Sequence, residues 1–393
     1  MKHGLIKVAA AIPAVKVADT KFNLIETEKQ ITVADGQGVE IIVFPELSMT
    51  GYTCQDLFQQ QLLLDDTEQA VIELLEFTRK LDITVIVGAP VAVGALLLNC
   101  ALVIQQGKLL GIVAKTFLPN YSEFYEKRWF ASSQDLRSQH ILFAGNNILV
   151  TPELQIFRTS EGATFAIEIC EDVWAPTPPS NHLALAGAEI IFNLSTSDEL
   201  IGKHAYLKSL LAQQSARTIS GYVYSSSGFG ESTQDVVFGG NALIFENGSL
   251  VKQSERFQLD PQLVISEIDI ENLRSERRTN STFVNAQRPV ASGLAGITGQ
   301  IGELALHVDC QPPLNSREFT LTREFDQHPF IPKTENMQEA CDEIYNIQVS
   351  GLAKRLVHTN CKSAIIGISG GLDSTLALLV VVKNFDKLGL DRK

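Results

Sequence analysis

The sequence lacks the features that mark disulfide-bonded, zinc-binding or membrane-spanning proteins. Its six cysteines are scattered over 393 residues without a Cys-x-x-Cys pair, and no two histidines stand at zinc-ligand spacing, so neither a disulfide framework nor a structural zinc site is indicated. The longest apolar run, 376–382, is far shorter than the roughly 20 residues of a membrane span. Lys7, Pro13 and Lys16 divide the apolar start into pieces too short for a signal peptide. We therefore expect a cytoplasmic protein with no membrane partner.

Basic residues are also too few for a nucleic-acid-binding protein. The chain has 45 acidic and 32 basic side chains, a net charge of −13, and no Lys/Arg-rich run. Such a balance lacks the electrostatic footprint of a nucleic-acid partner. Hydrophobic residues at 45% and charged residues at 20% are typical of a globular protein, and the length allows two or three domains at roughly 150 residues each.

The first 270 residues alternate between strand-like and helix-like patterns. Helices are predicted at 21–34, 66–81 and 203–218, the second with its start near Asp65–Thr67. The predicted strands are short, apolar runs, namely 5–12, 40–45, 83–89, 97–104, 110–115, 164–170, 189–194, 219–226, 241–246 and 263–269. This alternation predicts an α/β layered domain. Where strands follow one another directly, as around Gln106-Gly107, we expect hairpins and a mixed sheet.

The pattern changes after residue 270. Five prolines punctuate 271–335, which predicts an extended linker or arm, part of which (292–310) is apolar enough to order against a partner. Helices are then predicted at 337–359 and 374–386, with a short buried strand at 363–369 between them. A doubly wound nucleotide-binding sheet needs several further βα units of about 30 residues each, so we expect only the start of such a domain here.

Three residues of complementary chemistry stand at the carboxyl ends of predicted strands. EIIVFPE ends in Glu46, GIVAK in Lys115 and TFAIEIC in Cys170. Strand ends of this kind line the ligand crevice of α/β sheets, so these side chains are expected to meet. A thiolate favoured by a neighbouring ammonium attacks carbonyls, a glutamate accepts and returns the proton, and the lysine stabilises an oxyanion. Taken singly, a cysteine at a strand end is more often a small buried hydrophobe, and a lone Glu or Lys is usually surface.

The sequence around these three residues resembles that of a known family. VFPELSMTGYTCQDLF, AKTFLPNYSEFYEKRWF and IEICEDVW, in this order and spacing, resemble the signature blocks of the nitrilase (carbon–nitrogen hydrolase) superfamily, and more narrowly those of the glutaminase domain of glutamine-dependent NAD synthetases. The resemblance spans roughly residues 4–270 and implies an αββα sandwich. It implies Cys170 as nucleophile, Glu46 as general base, Lys115 as oxyanion-stabilising group and Glu126 as a supporting glutamate. It also implies that Tyr121, Glu171, Ser197 and Lys203 bind glutamine.

Two of these glutamine-binding assignments leave alternatives open. Glu171 is a sensible partner for the α-ammonium of glutamine, but it is also compatible with an exposed surface carboxylate. Lys203 stands where some relatives carry arginine, and a lysine offers a point charge instead of a bidentate fork, which leaves its role towards a carboxylate open.

A second motif, Ser369-Gly370-Gly371-Leu372-Asp373-Ser374, joins the predicted strand 363–369 to the last helix. Two glycines and a helix N-terminus can form a cradle of backbone amides for phosphate, although such a turn can also be only a capped helix start. The Gly-Lys-Ser/Thr ending of a Walker A loop is absent, which argues against a P-loop NTPase. SGGxDS resembles the pyrophosphate loop of N-type ATP pyrophosphatases.

Together the two resemblances imply glutamine hydrolysis that supplies ammonia for ATP- and Mg²⁺-dependent amidation of deamido-NAD. We expect a glutaminase domain at 1–270, a linker at 271–336 and the start of a synthetase domain at 337–393. The glutaminase half is expected to need no cofactor or metal, most nucleotide-binding residues are expected outside this chain, and the family implies a homo-oligomer. The alternatives are a free-standing amidase acting on another small amide and a non-catalytic oligomerisation scaffold.

Overall fold

The computed structural model describes residues 2–287, 305–315, 318–332 and 336–392. The chain forms two compact units, Met1–Arg323 and Glu324–Lys393. Among the described residues, no helix is long and apolar enough to cross a membrane.

The first unit contains two sheets. The larger one has eight strands in the order β14-β1-β2-β3-β4-β5-β7-β6. Its strands are β1 (Leu5–Ile12), β2 (Ile41–Val43), β3 (Thr84–Val93), β4 (Leu96–Gln105), β5 (Lys108–Ala114), β6 (Gln139–Phe143), β7 (Asn146–Val150) and β14 (Gln262–Asp269). β1 pairs parallel with β2 and antiparallel with β14, so the sheet is mixed, as predicted.

The second sheet has seven strands in the order β13-β12-β11-β10-β9-β8-β15. Its strands are β8 (Leu154–Arg158), β9 (Thr164–Ile169), β10 (Ile190–Ser195), β11 (Gly221–Ser226), β12 (Ala242–Glu246), β13 (Ser249–Gln253) and β15 (Ala305–Asp309). The parallel strands β9, β10 and β11 lie side by side, so the ends of β9 and β10 are neighbours.

Helices cover the outer faces of the two sheets, and the alternation within strands shows why. In β1, Ala9 and Ala11 belong to the core beneath α1 (Thr20–Gly36) and α2 (Gln61–Thr78), whereas Val8 and Ala10 belong to the core between the sheets. Side chains of a strand alternate between faces, so one strand serves two cores. The outer face of the second sheet packs on α3 (Pro179–Leu185) and α4 (Lys203–Thr218). The result is the αββα sandwich that the family resemblance implies.

Local predictions in this unit were mostly right. β4 and β5 form the predicted hairpin, and positive φ angles at Gln106 (48°) and Gly107 (75°) match the two-residue turn that joins twisted strands. Helix α2 begins at Gln61, earlier than the predicted start near Asp65–Thr67. Its Leu63 packs in a small core with Phe58, and this tertiary contact extends the helix.

The sequence predicts an extended linker or arm at 271–335, but the described residues of this range include two helices and one strand. Two helices, α5 (Ile270–Thr279) and α6 (Ser281–Ala286), begin where Asp269 and Asn280 cap them, and β15 adds to the edge of β8. Arg277 of α5 donates to the carbonyls of Ile219, Ala188 and Thr218, and these tertiary bonds are invisible to local pattern. Most of the apolar stretch 292–310, residues 292–304, lies outside the described residues.

The second unit contains α7 (Met337–Thr359) and α8 (Leu372–Leu388), as predicted. The buried strand predicted at 363–369 is absent: these residues form no strand and nearly all are exposed, with Ile365 fully exposed. An apolar segment becomes a strand only when neighbouring strands pair with its backbone, and the described part of this unit supplies none.

Because this unit buries few side chains, we expect its backbone amides to exchange rapidly with deuterium. Val349, Leu356, Val380, Asn384 and Phe385 are its buried side chains among the described residues. Amides of α7 and α8 should exchange at least about 100-fold faster than those of β1, since local opening requires loss of little apolar contact. Hydrogen-exchange mass spectrometry checks this, and protection equal to that of β1 would contradict it.

Candidate active site

The ends of strands from both sheets bring the predicted reactive residues together. Glu46 follows β2, Lys115 follows β5 and Cys170 follows β9 directly, and all three are buried, with exposures of 0%, 1% and 6%. The backbone N–H of Glu46 donates to the carbonyl of Ser195 (3.2 Å), and the Ser195 hydroxyl donates to Cys170 Sγ (3.1 Å). Ser195 thus links Glu46 and Cys170 across the two sheets.

Lys115 is clamped between two carboxylates. Its Nζ donates to Glu46 Oε1 (2.6 Å) and to both oxygens of Glu126 (2.7 and 2.9 Å). Glu126 lies in a short 3₁₀ turn, Glu126–Arg128, and also accepts from the Tyr52 hydroxyl (2.8 Å). Burial alone would lower the pKa of Lys115, but Glu126 and Glu46 outweigh it and hold that pKa well above its ordinary value. The lysine is therefore a permanent ammonium.

The pKa of Glu126 is also raised, which for a carboxyl group favours the neutral form. Burial raises its pKa, the Lys115 ammonium lowers it and Glu46 raises it, with a net shift upward. One ammonium thus serves two buried carboxylates. The cluster is stable only while Lys115 is present to compensate them.

Neighbouring polar groups fix the orientation of Glu46. Asn99 Nδ2 donates to its Oε1 (2.7 Å) and the backbone N–H of Thr196 donates to its Oε2 (3.0 Å). The turn that carries Glu46 lies so close to β3 that a Cβ at Gly88 would stand 2.2 Å from the Leu47 nitrogen. Glycine at position 88 is therefore required by this approach.

Cys170 has a strained backbone, with φ at 46°, and it opens the 3₁₀ turn Cys170–Trp174. The Asp172 carboxylate accepts from the N–H groups of Ile169 (2.9 Å) and Phe117 (2.8 Å), which ties this turn to the loop after Lys115. Burial raises the pKa of the Cys170 thiol, Glu46 raises it further and Lys115 lowers it. The resting group is a thiol, which becomes a strong nucleophile only when its proton is removed.

The four predicted glutamine-binding residues border this site. The Tyr121 hydroxyl donates to Glu171 Oε1 (2.7 Å), and burial raises the pKa of that carboxyl. Ser197 is buried, with its N–H bonded to Ser226 Oγ (3.1 Å). Lys203 pairs with Asp198, so its charge is already partly satisfied. The Lys203 Nζ also lies 5.7 Å from the ring centres of both Phe124 and Trp174.

In the second unit, residues 369–374 form a turn before α8. Gly370 has φ of 85°, and a Cβ there would meet nothing within 4 Å. The Ser374 hydroxyl donates to the Gly371 carbonyl (3.1 Å) and lies 3.2 Å from Ser369 Oγ. Apart from Ser374, which is half-buried, the loop is exposed, including Leu372 and Asp373.

Sequence reasoning missed four residues that contact the reactive groups. Ser195 ends β10 and Thr196 follows it, directly before the predicted Ser197, and Tyr52 lies in the first signature block. Asn99 is a polar residue in the middle of an otherwise apolar stretch of β4, and a buried polar group in such a place requires a partner. That mismatch was the available signal for Asn99.

Proteins of similar sequence cover most or all of this chain. The model of the carbon–nitrogen hydrolase family matches residues 7–278. The glutamine-dependent NAD(+) synthetase of Mycobacterium tuberculosis H37Rv is 36% identical over 394 residues, covering 100% of this chain and 57% of that protein. The synthetase of Thermotoga maritima is 26% identical over 375 residues, covering 94% and 57%. The chain thus spans a little over half the length of these relatives.

Solved structures agree on the fold. A glutamine-dependent NAD(+) synthetase from Cytophaga hutchinsonii superposes with a TM-score of 0.60 at 26% identity, covering 67% of this chain and 43% of that one. A carbon–nitrogen hydrolase from Helicobacter pylori G27 gives a TM-score of 0.56 at 18% identity, covering 72% and 96%. The second similarity concerns the fold alone.

Proposed function

The chain belongs to the carbon–nitrogen hydrolase family, and we propose that its buried site hydrolyses the side-chain amide of glutamine through a thioester on Cys170. The observation that carries this proposal is the ammonium of Lys115, held between Glu46 and Glu126 beside a buried cysteine. A nucleophile, a proton acceptor and a fixed cation are the groups that acyl transfer from an amide requires.

The reaction proceeds by two displacements. Glu46 takes the proton of the Cys170 thiol while the sulfur attacks the amide carbon, and the carbonyl electron pair moves to oxygen. The ammonium of Lys115 stabilises that oxyanion. The C–N bond then breaks as Glu46 returns the proton to the leaving nitrogen, which releases ammonia and leaves a thioester. Water, deprotonated by Glu46, attacks the thioester, and glutamate and the thiol are regenerated.

Glu126 supports this reaction without a bond to the substrate. Both oxygens of its carboxylate accept from the Lys115 ammonium, and the Tyr52 hydroxyl in turn donates to Glu126. The lysine is thereby fixed in one position before the substrate arrives. A preorganised charge of this kind needs no reorganisation as the oxyanion forms.

Glutamine is the substrate that the rim residues favour. Glu171 and Tyr121 offer a carboxylate and a phenol to the α-ammonium group, and Ser197 offers a hydroxyl. Lys203 supplies positive charge for the α-carboxylate, although its pairing with Asp198 weakens that attraction.

Replacing Glu171 by glutamine should raise KM for glutamine by about 10- to 100-fold with a small change in kcat. The variant loses the charge that meets the α-ammonium, and a charge-assisted hydrogen bond at a partly exposed site has about that effect on affinity. Steady-state ammonia release gives both constants. Glu153→Gln, at an exposed site after β7, is the matched control and should leave KM unchanged. A fall in kcat alone would contradict the binding role.

Substrate choice tests the function itself. We expect ammonia release from glutamine to exceed that from asparagine and from simple aliphatic amides, because only glutamine reaches both Cys170 and Glu171. Preference for an amide without α-substituents would instead identify a free-standing amidase. Absence of hydrolysis with every amide tested would favour a non-catalytic scaffold.

We further propose that the whole protein is a glutamine-dependent NAD synthetase, in which ATP activates the carboxylate of deamido-NAD for attack by ammonia. The 369–374 turn fits part of this task, because Gly370 leaves open space before the N–H groups that begin α8. Mg²⁺, which offsets phosphate charge, prefers an octahedral set of oxygens, and Asp373 is the single carboxylate of this loop. ATP and Mg²⁺ would thus need further ligands.

NAD formation from deamido-NAD, ATP and glutamine by the complete product of the gene tests this second proposal. Glutamine hydrolysis without NAD formation would reject the synthetase assignment and leave the glutaminase assignment intact. The homo-oligomer and the cytoplasmic location stay predictions, and light scattering of the purified protein checks the first.

A further inference from the structure

A chain of two buried hydroxyl groups ends on the sulfur of Cys170. The Tyr224 hydroxyl donates to Ser195 Oγ (2.7 Å), and the Ser195 hydroxyl donates to Cys170 Sγ (3.1 Å). Both hydroxyl-bearing residues are fully buried. We propose that Ser195, oriented by Tyr224, is a thiolate-stabilising donor of this site, and that Tyr224 is a positioning residue acting through it.

Sheet register explains why these groups meet. β9 and β10 are parallel, with Leu194 opposite Ile169, so the next residues along, Ser195 and Cys170, lie side by side where the strands end. Tyr224 lies opposite Asn193 on β11, one strand further. Ser195 itself lies opposite Ser226 of β11, so the Tyr224 hydroxyl reaches Ser195 diagonally, from two residues earlier on the same face of the sheet.

The direction of the bonds follows from proton counting. A serine hydroxyl has one proton, and Ser195 Oγ already accepts the proton of Tyr224, so its own proton is free to point at sulfur. Burial raises the pKa of Tyr224, so the phenol stays protonated as a donor. Hydrogen bonds in a chain polarise one another, and the Tyr224 bond therefore strengthens the bond to sulfur.

The charges around Cys170 show why such a donor matters. Lys115 is the cation of the cluster, and it already serves Glu46 and Glu126. A thiolate would be a third negative charge on one ammonium. When the thiol S–H bond breaks, the proton passes to Glu46 and the electron pair stays on sulfur, where the Ser195 O–H can meet it. A hydrogen bond to a charged group is stronger than one to a neutral group, so it favours the thiolate over the thiol.

Alkylation of Cys170 measures this effect without any substrate. The full chain is treated with iodoacetamide across neutral to alkaline pH, and the peptide containing Cys170 is followed by mass spectrometry because the chain has other cysteines. The rate follows the thiolate fraction. The titratable groups that act on this sulfur or its hydroxyl partner are kept in every variant except where named: Glu46, Lys115, Glu126, Tyr52, Tyr121 and Tyr224.

Ser195→Ala should raise the pH midpoint of alkylation by about one unit, and Tyr224→Phe should raise it by a smaller amount. Tyr222→Phe is the matched control. Tyr222 is two residues away on the same face of β11, equally buried, and its hydroxyl donates to Glu168. Tyr222→Phe also loses one buried hydroxyl group, so any effect of general loosening of the sheet on Cys170 would appear in this control. We expect no shift of its alkylation midpoint.

The double variant Ser195→Ala/Tyr224→Phe separates a relay from two independent effects. If Tyr224 acts through Ser195, the second change adds no further shift. An additive shift, or an unchanged midpoint in Ser195→Ala, overturns the proposal. Should Ser195→Ala fail to fold, Tyr224→Phe decides, since it keeps the ring and an unchanged midpoint there also refutes the relay.

The inference rests on Cys170 as the nucleophile of the proposed function, yet the two fail in different ways. If the alkylation midpoint shifts in the Ser195 and Tyr224 variants but the parent protein does not hydrolyse glutamine, the role of Ser195 and Tyr224 is retained and glutamine is rejected as the substrate. If the parent protein hydrolyses glutamine but the midpoint does not shift in the variants, the proposed function is retained and the role of Ser195 and Tyr224 is rejected.

Discussion

Cys170→Ala is expected to reduce ammonia release from glutamine by at least about 1,000-fold. The variant removes the atom that forms the thioester, and loss of a nucleophile from an acyl-transfer site typically has effects of this size or larger. Alanine keeps the Cβ, so the positive φ at this position is no more strained than in the parent chain. The expected loss is therefore chemical and not a consequence of misfolding.

Cys100→Ala is the control for this experiment. Cys100 is fully buried in β4, in the core beneath α1 and α2, so its replacement also removes a buried sulfur. This control should retain ammonia release close to that of the parent chain, with a small loss of stability. Equal ammonia release from the parent and from Cys170→Ala would remove the catalytic assignment.

Lys115→Met is expected to lower the free energy of unfolding by about 3–5 kcal/mol at pH 8, in addition to abolishing ammonia release. The change leaves Glu46 and Glu126 buried without their cation, and an uncompensated buried charge has a cost of this order. Urea unfolding at fixed pH gives the free energy. Lys127→Met, an exposed lysine of the same block, removes one positive charge without burial and should change stability little.

The loss should shrink as the pH falls. In the variant, burial and mutual repulsion hold the pKa of the Glu126 carboxyl above its unfolded value near 4.5, so the folded state binds more protons than the unfolded chain. Stability is then greatest below the unfolded pKa and declines as the pH rises through that value, levelling off above the folded pKa. Unfolding at pH 5 should accordingly show a smaller deficit than at pH 8.

A second variant identifies the cause of that loss. Lys115→Met/Glu126→Gln removes one of the two carboxylates as well as the ammonium, so part of the stability should return at pH 8. A deficit that is the same at both pH values, and that Glu126→Gln does not relieve, would show that packing of the lysine stem dominates instead.

Much of the fold was predictable because its signals are local. Short apolar runs marked most strands of the sandwich, although β6, β7, β8 and β13 were missed, and the short hairpin between β4 and β5 was visible in its turn residues. The helices after residue 270 were not, because Arg277 binds carbonyls on a distant part of the chain. The prediction for 363–369 was wrong for the opposite reason. Its apolar sequence favours a strand, but among the described residues no neighbouring strand pairs with it.

The candidate site divides in the same way. Sequence patterns were enough to locate Glu46, Lys115 and Cys170 at strand ends, because the side-chain period of a strand and the common edge of a sheet follow from local geometry. The tertiary structure alone decided that Lys115 is shared by two carboxylates and that Ser195 connects Tyr224 to the sulfur. Those contacts join residues of different strands and both sheets, and strand order and register, which no local pattern encodes, set their distances.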